Sequence, residues 1–314
     1  MEKLRSVGLG LVFLVLLGLA GETLWRNWNL ERNDPSASKA LKFGFIDKTG
    51  AFVIAPRFML AYDFSEGFAP VCTEEGTGFI DRTGALIIPA VFENAGSFSE
   101  GLAQAQVDGL IGYIDTSGEW VVLPRFSRAG VFSQGLAPAA MDGLYGFIDR
   151  TGEWQVPPRF TRALPFTEDR ALVVAGGACG YVSPEGNLVI PPTFDAAGVF
   201  SGGRAHVRLG QRWAVIDKKG DLVDQAQDEM TPASKRPGVM PATLHWSYVD
   251  STGTSFACPR GEREKPFSEG LAPIEKEGRF GYIDKAGGWV VSPSFQRAYP
   301  FRDGLARVRM PAGE

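Results

Sequence analysis

The sequence predicts an all-β protein built from eight tandem repeats of about 34 residues, and three observations support this prediction. A Gly-Phe/Tyr-Ile-Asp element returns at a nearly constant interval, a four-residue turn follows it, and short runs rich in Val, Ile, Phe and Trp flank the turn. The repeat region contains no stretch with helical periodicity. We therefore expect one β-repeat domain over residues 41–310, followed by a tail of residues 311–314.

The interval between the repeated elements defines the repeats. Successive starts are 34 residues apart, with one interval of 33. A repeat of this size cannot bury an apolar core alone, so neighbouring repeats must stack on one another. The repeats start near Gly44, Gly78, Gly112, Gly146, Gly180, Ala214, Ser247 and Gly281.

A turn of the pattern Asp-x-x-Gly follows each start, as at Asp47–Gly50 and Asp149–Gly152. An Asp at the first position can accept a hydrogen bond from the backbone two residues on, and Gly at the fourth tolerates positive φ. One repeat has Ser183 followed by Pro184, which fits a type I turn equally well. We interpret the recurring carboxylates as turn caps, because one per turn supplies too few oxygens for calcium.

The turn joins two halves of a hairpin, and the second half is an apolar run such as Trp120–Val122. A proline such as Pro56 is expected to end this strand, and two phenylalanines follow, as at Phe58 and Phe64. A Ser-Glu-Gly-Leu-Ala element or a variant then leads into a further strand. Each repeat is thus predicted to contain three strands and a short fourth strand near the two phenylalanines.

The second hairpin strand is apolar on nearly consecutive residues, which predicts a sheet covered on both faces. Its first position is interpreted as a core position, which argues against sugar stacking there, because leucine and tryptophan replace each other in it. The residues at this position are Phe52, Leu86, Trp120, Trp154, Leu188, Leu222 and Trp289.

The two ends of the repeat region predict how the stack is completed. The region begins within a repeat at 41–44 and finishes at 305–308, so the last strand can pair with the first hairpin in one composite sheet. Ring closure of this kind removes exposed sheet edges. This favours an eight-bladed propeller-like ring, and the alternative is an open β-solenoid.

Composition excludes several classes of function. The net charge of −4 provides no basic field for nucleic-acid phosphates. Cys72, Cys179 and Cys258 form no Cys-x-x-Cys pair, which excludes a zinc ribbon or a disulfide framework and favours buried thiols. We find no phosphate-cradling loop, zinc-protease motif or serine-nucleophile elbow, and we predict no catalytic residue, cofactor or metal.

The first 25 residues are predicted to be a signal peptide or a signal anchor. Lys3 and Arg5 precede an apolar run over residues 6–21, which is short for a spanning helix and suits a secretory signal. Gly18-Leu19-Ala20 offers a cleavage site, and an uncleaved anchor continuing to Trp25 is the alternative. Residues 26–40 are predicted to be a polar linker.

The repeat pattern resembles the bacterial WG repeat over residues 42–310. The resemblance lies in the unit Gly-Phe/Tyr-Ile-Asp-x-x-Gly-x-x-Val-Ile-x-Pro-x-Phe and in the Phe-Ser-Glu-Gly-Leu-Ala that follows it. A literal Trp-Gly pair never occurs, since the corresponding pairs are, for example, Phe43-Gly44 and Trp213-Ala214. The resemblance implies an all-β bacterial repeat module used for binding, and it carries over no catalytic residue.

Residues 221–244 are degenerate. The proline, both phenylalanines and the Ser-Glu-Gly-Leu-Ala element are missing there, although the spacing is kept within one residue. This stretch is either a decayed repeat or a specialised recognition loop.

The only local chemistry that the repeat does not explain lies on either side of this stretch. Trp213 and Trp246 each precede a start that lacks glycine, and basic side chains lie near them in the sequence. An anionic or glycan ligand could bind such a cluster. The candidate ligand-binding residues are Trp213, Trp246, His206, His245, Arg204, Arg208 and Arg212.

The sequence favours an exported, non-enzymatic module that binds a protein or an envelope polysaccharide, does not bind nucleic acid, and touches a membrane only through an uncleaved N-terminal segment. We expect it to be periplasmic or extracellular, and if the N-terminal segment is not cleaved, residues 6–25 anchor it to the inner membrane. The alternative is an envelope glycan-active enzyme with an acidic site on a β-propeller. In that case carboxylates outside the repeat pattern should converge, and the candidates are Glu168, Asp195 and Asp224.

Overall fold

The computed structural model describes residues 42–225, 247–249, 255–257 and 267–310, and all regular structure in them is β-strand. The all-β prediction is therefore confirmed for this part of the chain. Among the described residues, no helix is long and apolar enough to cross a membrane. The predicted signal segment, linker and tail lie outside the described residues, as does the degenerate stretch from residue 226 onward.

Strands β1 to β14 are β1 (Phe43–Ile46), β2 (Phe52–Phe58), β3 (Leu60–Ala61), β4 (Ala69–Cys72), β5 (Thr77–Ile80), β6 (Leu86–Phe92), β7 (Asn94–Ala95), β8 (Leu102–Val107), β9 (Leu110–Asp115), β10 (Trp120–Phe126), β11 (Arg128–Ala129), β12 (Ala137–Met141), β13 (Leu144–Ile148) and β14 (Trp154–Phe160). Strands β15 to β29 are β15 (Arg162–Ala163), β16 (Ala171–Ala175), β17 (Ala178–Val182), β18 (Leu188–Phe194), β19 (Ala196–Ala197), β20 (Arg204–Leu209), β21 (Arg212–Asp217), β22 (Leu222–Gln225), β23 (Ser247–Val249), β24 (Ser255–Ala257), β25 (Ala272–Lys276), β26 (Arg279–Ile283), β27 (Trp289–Phe295), β28 (Arg297–Ala298) and β29 (Ala306–Arg309).

The chain divides into two compact units. The described residues of the first are 109–113 and 120–225, and its sheets have the orders β11-β12-β13-β14, β15-β16-β17-β18 and β19-β20-β21-β22. The second unit contains β2-β1-β29-β28, β3-β4-β5-β6, β25-β26-β27 and β23-β24, and the chain also forms a sheet of order β10-β9-β8-β7. The predicted three strands with a short fourth strand are confirmed in each four-stranded sheet.

The composite sheet is also confirmed. Strand β29 pairs antiparallel with β1, from Phe43 opposite Arg309 to Ile46 opposite Ala306. The chain therefore joins its first described strand to its last described strand through main-chain hydrogen bonds within one sheet.

Each regular repeat bends its outer strand around a glycine. In β13 and β14, Tyr145 lies opposite Phe160 but Phe147 lies opposite Val156, so the longer outer strand bulges. A Cβ on Gly146 would lie 2.2 Å from the Val156 carbonyl oxygen, which explains why glycine recurs at the start of the repeat.

The prediction that proline ends the outer strand is wrong. Pro158 lies inside β14, within the bulge. Proline is tolerated there because β14 is at the edge of its sheet, where no further strand requires its N–H group.

The prediction that the outer strand is covered on both faces is also wrong. In β2, Ile54 is buried, whereas Phe52 and Val53 are 41% and 46% exposed. Strand β2 is an edge strand, and these two exposed residues stand at its beginning. Tertiary position, rather than apolar sequence, decides burial here.

An aromatic pair forms the core between neighbouring repeats. The ring of Tyr181 in β17 is fully buried and packs edge-on against Phe200 of the next repeat, with ring centroids 4.8 Å apart. The buried phenol donates a 2.6 Å hydrogen bond to the carbonyl oxygen of Gly198. Burial raises the pKa of Tyr181, so this hydroxyl remains a donor at physiological pH.

Candidate functional site

Strands β20 and β21 carry five of the seven predicted ligand-binding residues. Antiparallel pairing places His206 opposite Val215 and Arg208 opposite Trp213. Because side chains alternate along a strand, Arg204, His206 and Arg208 share one face of β20. The structure therefore brings these three residues and Trp213 together on one face of the sheet.

The contacts within this group are loose. The guanidinium carbon of Arg208 lies 6.0 Å from the Trp213 ring centroid, and Arg204 and His206 are exposed. Arg212 lies next to Trp213 in β21 and so faces the opposite side. The two remaining predicted residues, His245 and Trp246, lie outside the described residues, and the ligand site therefore stays a prediction.

The same repeat position has a different role in the composite sheet. In β29 of the composite sheet, Arg307 occupies the repeat position that His206 occupies in β20. Its guanidinium carbon lies 3.7 Å from the Tyr299 ring centroid, its Nε is 2.7 Å from an Asp63 oxygen, and it also donates to the carbonyl oxygen of Ala61. The charge of Arg307 is thus used to hold neighbouring strands together.

The recurring aspartates cap their turns, as predicted. One carboxylate oxygen of Asp149 accepts the N–H groups of Thr151 and Glu153 at 2.9 and 3.1 Å and the Thr151 hydroxyl at 2.6 Å. The hydroxyl bond is the main reason why the pKa of Asp149 lies below its usual value. Asp47, Asp81 and Asp115 are held in the same way. In the described part of the chain, no group of three or more His, Cys, Asp or Glu side chains is placed to hold a metal.

A second set of carboxylates was missed by the sequence reasoning. Glu66 accepts the N–H groups of Glu100 and Gly101 in the next repeat, at 2.7 and 2.9 Å. Glu168 accepts those of Gly202 and Gly203 at 2.6 and 2.8 Å. We call each such contact a carboxylate clasp; it runs from the Ser-Glu-Gly turn of one repeat, or the turn at the same repeat position, to the equivalent turn of the next.

The turn geometry explains the clasp. Glu100 and Gly101 both have positive φ, 55° and 77°, as do the corresponding residues of the other turns. Two successive residues of this kind point their N–H groups towards one concave spot, which is a common anion-binding arrangement. The available sequence signal was an acidic residue before glycine at the same place in four repeats, at Glu66, Glu100, Glu269 and Asp303.

Cations reinforce the clasps. The ammonium group of Lys48 lies 3.0 Å from a Glu269 oxygen, and that of Lys218 lies 3.6 Å from a Glu168 oxygen. The N–H of Gly203 makes the largest contribution to lowering the pKa of Glu168 below its usual value, with smaller contributions from Gly202 and Lys218. These carboxylates are therefore ionised and already bonded to the protein.

The structure does not bring together two of the carboxylates proposed for an enzymatic site. Glu168 binds amides that precede β20, whereas Asp195 accepts the N–H of Gly210, which follows β20. A strand of six residues separates the two amide groups by about 20 Å. Asp224, the third candidate, lies in β22, but its side chain is not among those that the structure describes.

The outer strands expose apolar side chains at the same positions in successive repeats. We call the first two residues of each outer strand the apolar edge positions, and Leu86 and Ile87 are typical, at 47% and 46% exposure. The interpretation of the first position as core is therefore wrong, although Trp154 and Trp289 are half-buried over the glycine of the adjacent strand. The residues at these positions that are large, apolar and exposed are Phe52, Val53, Leu86, Ile87, Val121, Leu188, Val189, Leu222, Val223 and Val290.

Two of the three cysteines lie in the described part of the chain. Cys72 and Cys179 are buried thiols, as expected, and neither forms a disulfide. Burial also raises the pKa of the Cys179 thiol. Cys258 lies outside the described residues.

Comparison with known proteins identifies the repeat. A family model described as "WG containing repeat" matches residues 43–75, 78–110, 111–145, 145–177, 180–213 and 280–310. The matches leave out the region that contains the degenerate stretch. No curated protein sequence matches the chain.

Solved structures give only distant likenesses. The dihydro-heme d1 dehydrogenase NirN is 11% identical over 86% of this chain and 73% of its own, with a TM-score of 0.39. The AfRom2 CNH domain is 9% identical over 81% and 94%, with a TM-score of 0.38. PorZ, a surface component of the type-IX secretion system of Porphyromonas gingivalis, is 13% identical over 79% of this chain and 36% of its own, with a TM-score of 0.32.

Proposed function

Because the chain belongs to the family of WG-containing repeats, we propose that it is a non-enzymatic binding module that engages a protein or envelope polysaccharide through its apolar edge positions. The observation that carries this proposal is the regular exposure of large apolar side chains, such as Leu86 at 47% and Leu222 at 55%, on strand after strand. Exposed apolar surface repeated in this way is typical of an interaction site.

The edge strands favour recognition by side chains rather than by strand addition. Pro56 and Pro158 lie within outer strands and offer no N–H group, and the neighbouring bulges interrupt the ladder. A ligand at these edges would therefore contact the apolar side chains and the half-buried tryptophans. Such a surface suits the apolar face of a sugar or an apolar patch on a protein.

The charges of the described residues support binding more than catalysis. Asp149 caps its turn, Glu168 closes a clasp, and Arg307 is held by Asp63 and Tyr299. Each of these groups already makes a structural contact within the protein, Asp149 inside its turn and the other two between strands or turns of different repeats. A general acid and base acting as a pair would have to come from other residues.

Two finer features belong to the same proposal. The apolar run over residues 6–21 favours export, and the composite sheet favours an eight-bladed propeller-like ring over an open solenoid. Both would suit a module that presents a repeated surface outside the cytoplasm. Analysis of the mature N-terminus and a solution scattering curve would test them separately.

Binding to purified envelope polysaccharides and to an envelope protein extract tests the proposal. The variant Leu86→Ser with Ile87→Thr should weaken binding at least tenfold, because it removes an apolar contact. The matched control is Leu144→Ser, an exposed leucine of similar accessibility in a hairpin away from the outer strand. Equal affinities for the two variants, or release of a cleaved glycan product, would overturn the proposal.

A further inference from the structure

One Ser-Glu-Gly turn differs from the others in what it binds. The turn of residues 268–271 has the same backbone as its equivalents, with φ of 51° at Glu269 and 91° at Gly270. Its outer hydrogen bonds are also conserved, since Ser268 and Leu271 bond each other at 2.9 and 3.1 Å. The concave pair of N–H groups is therefore fully formed at this turn.

Five of the equivalent turns hold a side-chain oxygen at this spot. Glu66 occupies the turn at Glu100–Gly101 with two bonds, and Glu168 occupies the one at Gly202–Gly203 with two. In three further turns one backbone N–H group donates to a side chain, and the N–H of Gly304 is shared by both carboxylate oxygens of Glu269. These bonds run from Asp169 to Gln134 at 3.0 Å, from Gly304 to Glu269 at 3.2 Å, and from Gly67 to Asp303 at 3.3 Å.

No residue in the described part of the chain accepts a hydrogen bond from the N–H of Glu269 or Gly270. The sequence accounts for this difference. Counting by the repeat, the residue that would supply the carboxylate to this turn is Arg236, a cation in the degenerate stretch. Glu269 and Gly270 are also both exposed, so a ligand can approach the two amides from solvent.

The charge around the turn is compatible with an added anion. The carboxylate of Glu269 itself is directed forward to the N–H of Gly304 and paired with Lys48 at 3.0 Å. Its negative charge is therefore balanced within the protein, as the corresponding charge of Glu168 is balanced by Lys218 at 3.6 Å. The turn of Asp303 and Gly304 already combines these features, because Asp303 accepts the N–H of Gly67 and pairs with Arg82 at 3.4 Å, while the carboxylate of Glu269 accepts the N–H of Gly304.

We infer that the N–H groups of Glu269 and Gly270 form a binding site for the carboxylate of an Asp or Glu side chain of a partner protein. Five equivalent turns of the same chain bind a carboxylate or an amide oxygen with this backbone, whereas the N–H groups of Glu269 and Gly270 have no acceptor among the described residues. The site deepens the proposed binding function, on which it rests, by naming one chemical group that the partner presents.

Amide-resolved NMR of the ¹⁵N-labelled full chain tests the site directly. Sodium acetate should shift the amide signals of Glu269 and Gly270 saturably, while those of Glu100 and Gly101 stay in place because Glu66 occupies them. Sodium chloride at matched ionic strength is the control for salt effects. A blocked peptide with one internal glutamate should saturate the same signals at lower concentration than acetate, because it offers additional contacts.

The variant Glu66→Gly provides a positive control in which the backbone conformation of the turn is expected to stay the same. Glycine occupies the corresponding place at Gly202 and accepts positive φ without strain, so the turn should persist. In this variant the signals of Glu100 and Gly101 should begin to respond to acetate, and the number of sites should rise from one to two.

Three outcomes would overturn the inference. In the first, acetate leaves the amide signals of Glu269 and Gly270 unchanged in the native chain but shifts those of Glu100 and Gly101 in Glu66→Gly. This result would mean that the turn of Glu269 and Gly270 is already occupied. Silence of both turns would mean that this backbone does not bind a carboxylate from solution, and tighter binding of inorganic phosphate than of the peptide would contradict the carboxylate assignment. In each case, binding at the apolar edge positions could still be measured, so the two proposals fail separately.

Discussion

Two neighbouring sheets of the first compact unit use the same repeat in different ways. In β15–β18, Leu172 and Tyr181 are 5% and 0% exposed. In β19–β22, the residues 34 positions later are His206, which is exposed, and Val215, which is half-buried. A face that is core in one sheet is thus an accessible, polar surface in the next.

The two sheets also differ in the residue that the following repeat supplies to cover this face. Tyr181 is covered by Phe200, which belongs to the following repeat. The residue 34 positions after Phe200 is Ser234, in the degenerate stretch. The covering phenylalanine is therefore replaced by serine in the same repeat step that replaces the covered leucine by histidine. Both replacements are expected for a face that is no longer packed against an aromatic ring.

The largest expected effect contrasts the two equivalent residues directly. Leu172→Ala should lower the free energy of unfolding by about 3 kcal/mol, because it leaves a cavity in a packed face. His206→Ala should change it by no more than about 0.5 kcal/mol, as is usual for exposed positions. Urea denaturation of both variants measures this, and equal losses would mean that the two faces are packed alike.

A slightly smaller effect is expected at the start of the repeat. Gly180→Ala should cost about 2 kcal/mol, because the new Cβ would lie 2.6 Å from the Ile190 carbonyl oxygen and force the bulge to shift. Ala214→Gly is the matched reverse change and should cost at most about 1 kcal/mol. In β21 and β22, Ala214 and Val215 pair with consecutive residues and no proline intervenes, so no bulge requires glycine there. Thermal unfolding that ranks the two variants in the opposite order would contradict this explanation.

Acid should weaken the clasp that joins the two sheets. The pKa of Glu168 is lower in the folded protein than its usual value, so the unfolded chain binds the proton more readily. Its contribution to stability is therefore complete above the usual carboxyl pKa of 4.5 and is lost as the pH falls through the lower, folded pKa. The free energies of unfolding of the wild type and of Glu168→Gln should differ most near neutral pH, and this difference should become smaller towards pH 3. A difference that is independent of pH would exclude a role for the charge.

The smallest effect is expected within the predicted ligand cluster. Arg208→Ala should lower stability by about 0.5 kcal/mol, since its contact with Trp213 is long and partly exposed. Arg212→Ala, on the opposite face of the same hairpin, serves as the control and should have no measurable effect. A loss of several kcal/mol for Arg208→Ala would show that this side chain is structural rather than available to a ligand.

The fold could be predicted from the sequence largely because the repeat amplifies weak signals. Seven copies of Asp-x-x-Gly and one of Ser-x-x-Gly indicated the turns, and the positions of residues 41–44 and 305–308 correctly indicated the composite sheet. The errors arose where burial depends on tertiary position. Phe52 reads as core in an apolar run, but its place at the start of an edge strand leaves it exposed.

The candidate site was less predictable for a related reason. The pairing that joins Arg208 and Trp213 on one face follows from a hairpin, so local sequence was sufficient. The clasp from Glu66 to Gly101 spans 35 residues and depends on a backbone with positive φ at Glu100, a non-glycine residue. Only the fold places that pair of amides within reach of the carboxylate.

Covalent footprinting of the full chain tests most directly whether binding takes place at the apolar edge positions. Carbene labelling would be compared with and without purified envelope polysaccharide and extracted envelope protein. The account predicts reduced labelling at Phe52, Val53, Leu86 and Ile87, with no change at the hairpin residues Leu110 and Leu144, which are also exposed. Protection of the hairpin leucines with unchanged labelling of the outer strands would contradict it.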